Sequence, residues 1–213
     1  MTIPKIIHQI HLGRNEYTDN MKKWQASWKM KNPTFQYILW TDDNIKKMPI
    51  QNRETLPFCR NFSEQSDILR FEILYNYGGV YVDTDMECLK SINTFLENEN
   101  FIVCKQIPQK ETGNKVCGAF LAAEKNNKLI GKLVEGIKNR NHTHADEDSG
   151  KKFGPGYIED TVDKKYYKDS KYVYPFMWYD NYSYENNSKK YPNAYAVHYW
   201  SASWWGGKSK GNN

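Results

Sequence analysis

The stretch from Ser63 to Asp85 constrains this chain more than any other part of it. Ile68, Leu69, Phe71, Ile73, Leu74 and Tyr75 spread around much of a helical wheel, so residues 63–77 predict a helix that is well buried. Ser63 is the expected N-cap, with Glu64 in the first turn, where the helix dipole favours an anion. Gly78 ends the helix, because glycine readily takes the left-handed conformation of a helix stop. Val80-Tyr81-Val82 follows as a short buried strand and runs straight into Asp83-Thr84-Asp85.

The first forty residues supply the companion elements. Residues 3–12 read as a strand ended by Gly13. Residues 18–31 read as a helix that Thr18 or Asp19 can cap, with Met21, Trp24 and Trp28 on one face and Pro33 as its stop. Phe35 to Thr41 is a β-branched and aromatic run that reads as a second strand. Strand, helix, strand is the opening of a βαβ unit, so the expected class is α/β. Downstream, residues 101–104, 116–122, 172–174 and 195–199 read as strands and 126–138 as an amphipathic helix. Residues 139–156 read as a polar loop. A chain of 213 residues suits one domain, here 1–205, with 206–213 as a flexible basic tail.

Composition narrows the classes. Mean hydropathy is −0.86, and no apolar run approaches a membrane span. The N-terminal residues lack the pattern of a secretory signal, so a cytoplasmic location is expected. Cys59, Cys88, Cys104 and Cys117 are not at metal-ligand spacing and read as reduced thiols. Residues 1–100 hold 12 Lys and Arg against 13 Asp and Glu, whereas 101–213 hold 18 against 12. A basic C-terminal half fits an anionic partner and suggests peripheral contact with the inner face of a membrane. The basic residues are diffuse and no recognition motif accompanies them, so no nucleic acid is expected as partner.

Asp83 and Asp85 carry the chemistry. Carboxylates are good ligands for hard divalent cations, and side chains two apart on an extended strand share a face. Both acids can therefore converge on one ion, and a diphosphate can complete its shell. An Asp-x-Asp pair is weak evidence alone, since 12 Asp give about 0.7 such pairs by chance. Asp146-Glu147-Asp148 is a second pair, but no strand precedes it and it reads as a solvated turn. Asp67 and Arg70 are three apart on the preceding helix and share a face.

Asp67-x-x-Arg70 followed by Leu74-Tyr75-Asn76-Tyr77-Gly78-Gly79-Val80-Tyr81-Val82-Asp83-Thr84-Asp85 resembles the DXD sugar-binding region of a glycosyltransferase family. That family includes capsular polysaccharide and lipopolysaccharide transferases and fungal initiating mannosyltransferases, with glucosylating toxin domains as distant relatives. Ile3-Pro4-Lys5-Ile6-Ile7-His8-Gln9-Ile10 resembles its opening strand, and Val197-His198-Tyr199-Trp200 through Ser203-Trp204 its closing segment. Three such blocks in this order are far more specific than any one of them.

The resemblance implies a GT-A-type α/β domain, a central mixed, mostly parallel sheet flanked by helices. It implies Asp83 and Asp85 as the catalytic pair and, with His198, as the metal site. Imidazole in the shell favours Mn²⁺ over Mg²⁺. It places Ile10 and His11 near the nucleotide base, Asp67 and Arg70 on the donor-sugar hydroxyls, and Phe62, Ser66 and Tyr81 around the same pocket. Ser201 and Trp204 are expected at the metal or diphosphate. Gly154-Pro155-Gly156 resembles a family Gly-Pro motif and is expected near the acceptor. Tyr199 stands where many relatives carry a second histidine, which leaves the number of nitrogen ligands open. The implied activity is metal-dependent transfer from a nucleotide-sugar donor, a UDP-sugar favoured over GDP-mannose, to a glycan or lipid-linked glycan. Retention of anomeric configuration and a place in surface polysaccharide synthesis are also implied. The alternative is a catalytically silent nucleotide- or sugar-binding module of the same fold.

Overall fold

The computed structural model describes residues 2–14, 16–105, 116–143, 149–169, 172–175 and 191–201. Along the chain run β1 (Ile6–Ile10), α1 (Asp19–Lys31), β2 (Gln36–Trp40), α2 (Asp42–Ile45), α3 (Phe62–Tyr77), β3 (Gly79–Val82), β4 (Met86–Cys88) and α4 (Asn93–Leu96). They continue as β5 (Phe101–Lys105), β6 (Val116–Ala123), α5 (Lys128–Thr143), α6 (Ser149–Lys152), α7 (Pro155–Thr161), β7 (Tyr167–Lys168), β8 (Val173–Pro175) and β9 (Ala196–His198).

The main sheet has the order β2-β1-β3-β6-β5-β7. β1 pairs in parallel with β2 and β3, and β5 with β7, while β6 runs antiparallel to β3 and β5. It is the expected mixed, mostly parallel sheet. Alternation along β3 explains its layers: Val80 and Val82 face one side and Tyr81 the other. On Tyr81's side, α3, α5 and α7 pack through Ile68, Phe71, Leu74, Leu133, Ile137 and Ile158. On the other side, Trp28 of α1, Phe95 of α4 and a small sheet, β4-β9-β8, cover the strands. Each fully buried aliphatic or aromatic side chain contributes about 1.5–3 kcal/mol. That sum is what holds α3, whose Ile68, Phe71, Ile73 and Leu74 are all inaccessible to solvent.

The local signals play out with informative differences. Thr18 caps α1 by accepting from the Met21 amide at 3.3 Å, and Met21, Trp24 and Trp28 are buried as the spacing predicts. α3 starts at Phe62 rather than after Ser63, because the Asn61 side chain takes the Glu64 amide at 2.9 Å and becomes the cap. Gly78 and Gly79 have φ of 65° and 102°. A Cβ at Gly78 would lie 2.6 Å from the Lys125 nitrogen, and one at Gly79 2.5 Å from the Ile6 carbonyl oxygen. The helix-to-strand turn therefore admits no side chain at either position.

The expected loop at 139–156 is mostly helical among its described residues. α5 runs on to Thr143, and Pro155, whose fixed φ suits a first turn, opens α7. Tyr157 and Ile158 bury that helix against α5, the Tyr157 hydroxyl donating to the Leu133 carbonyl at 2.7 Å. Asp146-Glu147-Asp148 and residues 206–213 lie outside the described residues. Among the described residues no helix is long and apolar enough to cross a membrane.

Candidate functional site

β3 ends at Val82, and the chain turns at once. The Asp83 amide donates to the Ala119 carbonyl at 3.0 Å, and the Met86 amide donates back to the Asp83 carbonyl at 3.2 Å. Asp83 and Asp85 thus sit in a tight turn, not on an extended strand. Their convergence comes from the turn and not from a shared strand face, because β3 is too short to carry them. β4 then leaves the turn and pairs antiparallel with β9, with Met86 opposite His198. This register brings His198, more than a hundred residues later, to the turn.

The three side chains form a compact set. His198 Nε2 lies 3.1 Å from Asp85 Oδ1 and 4.0 Å from Asp83 Oδ2. One ligand atom from each residue lies within 4.8 Å of the others, the one such grouping among the described residues. An octahedral ion with ligands at about 2.1 Å has neighbouring donor atoms about 3.0 Å apart and opposite ones about 4.2 Å apart. The two His198 separations, 3.1 and 4.0 Å, lie within that span, and two carboxylates with one imidazole suit a divalent cation. Asp85 is the more enclosed acid, its side chain 13% exposed against 27% for Asp83.

Electrostatics joins Asp85 to His198. Burial works against the Asp85 carboxylate, but His198 and two hydrogen bonds from Ser201 hold it below the usual range. Those bonds come from the Ser201 amide at 2.9 Å and its hydroxyl at 3.2 Å, both to Oδ2. Burial also disfavours imidazolium, yet the Asp85 carboxylate, with a smaller contribution from Cys117, carries His198 well above its ordinary value. A cation entering between them has to displace that proton.

Asp83 is anchored from the α3 side. Tyr81 donates its hydroxyl to Asp83 Oδ1 at 2.6 Å, and Arg70 approaches the same oxygen at 3.6 Å. Arg70 also pairs with Asp67 at 2.7 Å, donates to the Gly118 carbonyl at 2.6 Å and lies 4.8 Å from the centre of the Tyr81 ring. A Cβ at Gly118 would lie 2.7 Å from the Arg70 Nη1, so a side chain there would displace the guanidinium. Burial pushes the Asp67 carboxyl up to about 7 even though Arg70 opposes it.

The remaining expected residues are distributed around this centre. Ser66 is half-buried and gives its carbonyl to the Arg70 Nε at 3.4 Å. Phe62 is exposed, and its ring covers Gly13, where a Cβ would come within 2.4 Å. His11 is half-buried, edge-on to Tyr17 at 5.0 Å. Ile10 packs into the core with Leu12 and Trp40. Trp204 lies outside the described residues. Pro155 of the Gly-Pro motif lies beside Gly118.

Several supporting residues are visible only in the structure. Gln9 donates its side-chain amide to the Asp83 carbonyl at 2.9 Å and accepts from the Tyr37 hydroxyl. The Trp28 indole donates to the Met86 carbonyl at 2.8 Å. Tyr199 directs its hydroxyl to Glu87 at 2.5 Å and stacks on Trp24 at 4.7 Å, while its amide donates to the Asp85 carbonyl at 3.0 Å. Tyr199 is a brace, and the described site has one nitrogen ligand. The signal for Gln9 was a polar residue inside a buried strand, which has to find a partner.

Comparison with known proteins bears on the family and the fold. Residues 18–102 match the family model described as glycosyltransferase sugar-binding region containing DXD motif. Inositol phosphoceramide mannosyltransferase 3 of Schizosaccharomyces pombe is 33% identical over 101 residues, 44% of this chain and 27% of that protein. Mannosyl phosphorylinositol ceramide synthase SUR1 of Saccharomyces cerevisiae is 32% identical over 104 residues, 47% of this chain and 27% of that protein. The matched segment thus spans about a quarter of these relatives. Among solved structures, the PaToxG glycosyltransferase superposes with a TM-score of 0.62 at 19% identity, covering 75% of this chain and 69% of that one. A glycosyltransferase involved in the glycosylation of the major capsid of PBCV-1 gives 0.52 at 10% identity, covering 93% and 95%. The chain therefore resembles the DXD-containing glycosyltransferases, with a GT-A-type fold and with residues 18–102 matching their sugar-binding region.

Proposed function

We propose that this chain transfers a sugar from a nucleotide-sugar donor to a hydroxyl of a glycan or lipid-linked glycan, with a divalent cation at Asp83, Asp85 and His198. The observation that carries this reading is the meeting of those three side chains within 4.8 Å of one another, beside the buried Asp67–Arg70 pair. The cation, when bound, neutralises charge on the departing nucleoside diphosphate. Asp83 and Asp85 supply its negative ligands, and His198 contributes once it has lost its proton. Tyr81 and Arg70 hold Asp83 in place, and Ser201 holds Asp85. Asp67 and Arg70 form the floor on which the donor-sugar hydroxyls rest, with Ser66 at its edge. His11 and Phe62, around Gly13 at the end of β1, are the surfaces left for the base, and Ile10 contributes through its backbone.

The names of the fungal relatives carry mannose. GDP-mannose therefore stands beside UDP-sugars as the donor, and a lipid-linked acceptor at a membrane face fits the basic C-terminal half. Retention and a role in surface polysaccharide synthesis are parts of the same reading. The experiment is turnover of UDP-glucose, UDP-galactose and GDP-mannose with Mn²⁺ and then with chelator, released nucleotide being quantified. One donor should turn over and stop on chelation. Nucleotide binding with no release from any donor would favour the silent module.

A further inference from the structure

Three non-glycine residues among those described have positive φ: Asn98, Asn126 and Trp200. Asparagine tolerates this conformation because its short side chain bonds locally. A bulky aromatic does not, and Trp200 at φ 52° is the outlier. The turn itself has an evident purpose, since it delivers the Ser201 amide and hydroxyl to Asp85. Glycine would make that turn without steric cost. Nor does burial compensate a tryptophan here, because Trp200 is 40% exposed. Its indole instead stands 5.2 Å from the His198 ring, tilted 34° to it, beside the candidate metal site. Strain held at such a place, with an exposed ring as its result, points to a ligand for the ring.

We propose that the Trp200 indole binds the apolar C–H face of a pyranose at the reacting centre. An indole presents a flat, electron-rich face, and a pyranose offers weakly positive C–H groups on one side and hydroxyls around its rim. Within about one sugar ring of His198, that pyranose belongs either to the nucleotide-sugar donor or to the acceptor. The assignment rests on the glycosyltransferase reading above.

The test uses the full chain, Trp200→Gly and Trp200→Phe. Thermal unfolding is measured beside calorimetric binding of Mn²⁺, UDP, GDP, UDP-glucose and GDP-mannose. Methyl mannoside and methyl glucoside are then titrated into the nucleotide-saturated protein. Trp200→Gly should unfold no earlier than the wild type and bind Mn²⁺ and free nucleotide unchanged. It should bind a sugar ligand about tenfold more weakly, the order of one lost aromatic contact, with Phe restoring most of the loss. Weakening confined to the nucleotide sugars puts the ring on the donor, and weakening confined to the methyl glycosides puts it on the acceptor. Earlier unfolding or weaker Mn²⁺ binding in Trp200→Gly would make the ring a structural prop and overturn the proposal, as would unchanged binding of every sugar. A wild-type chain that binds no nucleotide with Mn²⁺ fails the glycosyltransferase reading itself, a result visible before any variant is compared.

Discussion

The two halves of the candidate site are built differently. The turn after β3 is gripped on all sides: Gln9 and Met86 take its carbonyl, Ala119 its amide, and Tyr81 and Arg70 its first carboxylate. The closing half is a three-residue strand, β9, followed by Tyr199, by Trp200 in the left-handed region and then by Ser201. It is joined to the first half by Asp85 and by the brace of Tyr199, Trp24 and Glu87. Both halves reach the core, the closing one through Ala196, but the first is fixed by far more hydrogen bonds. Stability should therefore answer to the first half, and cation binding to the junction between them.

The largest effect should come from Arg70→Met. It strands Asp67 as an unpaired buried carboxyl, and removing one partner of a buried pair costs about 3–5 kcal/mol. Urea unfolding checks this, and a loss below 1 kcal/mol would deny the first half its structural role. Asp85→Asn keeps shape but removes one ligand charge at the junction. Turnover should fall more than about a hundredfold with native circular dichroism, since metal stabilisation of the leaving charge is worth several kcal/mol.

Acid should separate the halves further. His8 is inaccessible to solvent, donates to the Gly78 carbonyl at 2.9 Å and accepts from the Trp40 indole at 3.1 Å. Burial pulls its pKa down to about 4 from 6.5, with the Gly78 bond opposing. The unfolded chain thus binds the extra proton first, so this contribution is complete above pH 6.5 and is lost as pH falls towards 4. The loss should reach about 3 kcal/mol, and unfolding midpoints across pH 4–7 measure it against His8→Gln, which lacks the slope. At the junction, His198 is held protonated by Asp85. Mn²⁺ must release that proton, so its affinity should weaken as pH falls. Calorimetry in two buffers of different ionisation enthalpy counts the proton.

The same contrast marks what the sequence could disclose. The run from α3 through Gly78-Gly79 to Asp83 and Asp85 was legible because its signals are local: apolar spacing, a helix stop, a short strand. The Asn61 cap was missed by two residues because Asn and Ser both cap well. β4, the turn geometry of the acids and the Gln9 strut were not legible, since their partners are distant. Gln9 meets Asp83 across 74 positions, and Ser201 meets Asp85 across 116. His198 was reached only through resemblance to the family's closing segment. The register of β4 against β9 supplies its physical reason.

The most direct test of the cation–diphosphate site is a thermal shift of the whole chain with UDP and with GDP, each with Mn²⁺ and with chelator. A ligand at a hundredfold excess over its dissociation constant stabilises the folded state by about 2.7 kcal/mol. A clear rise is expected with one nucleotide, disappearing on chelation and absent in Asp85→Asn. A nucleotide shift that survives both the chelator and that substitution would contradict it.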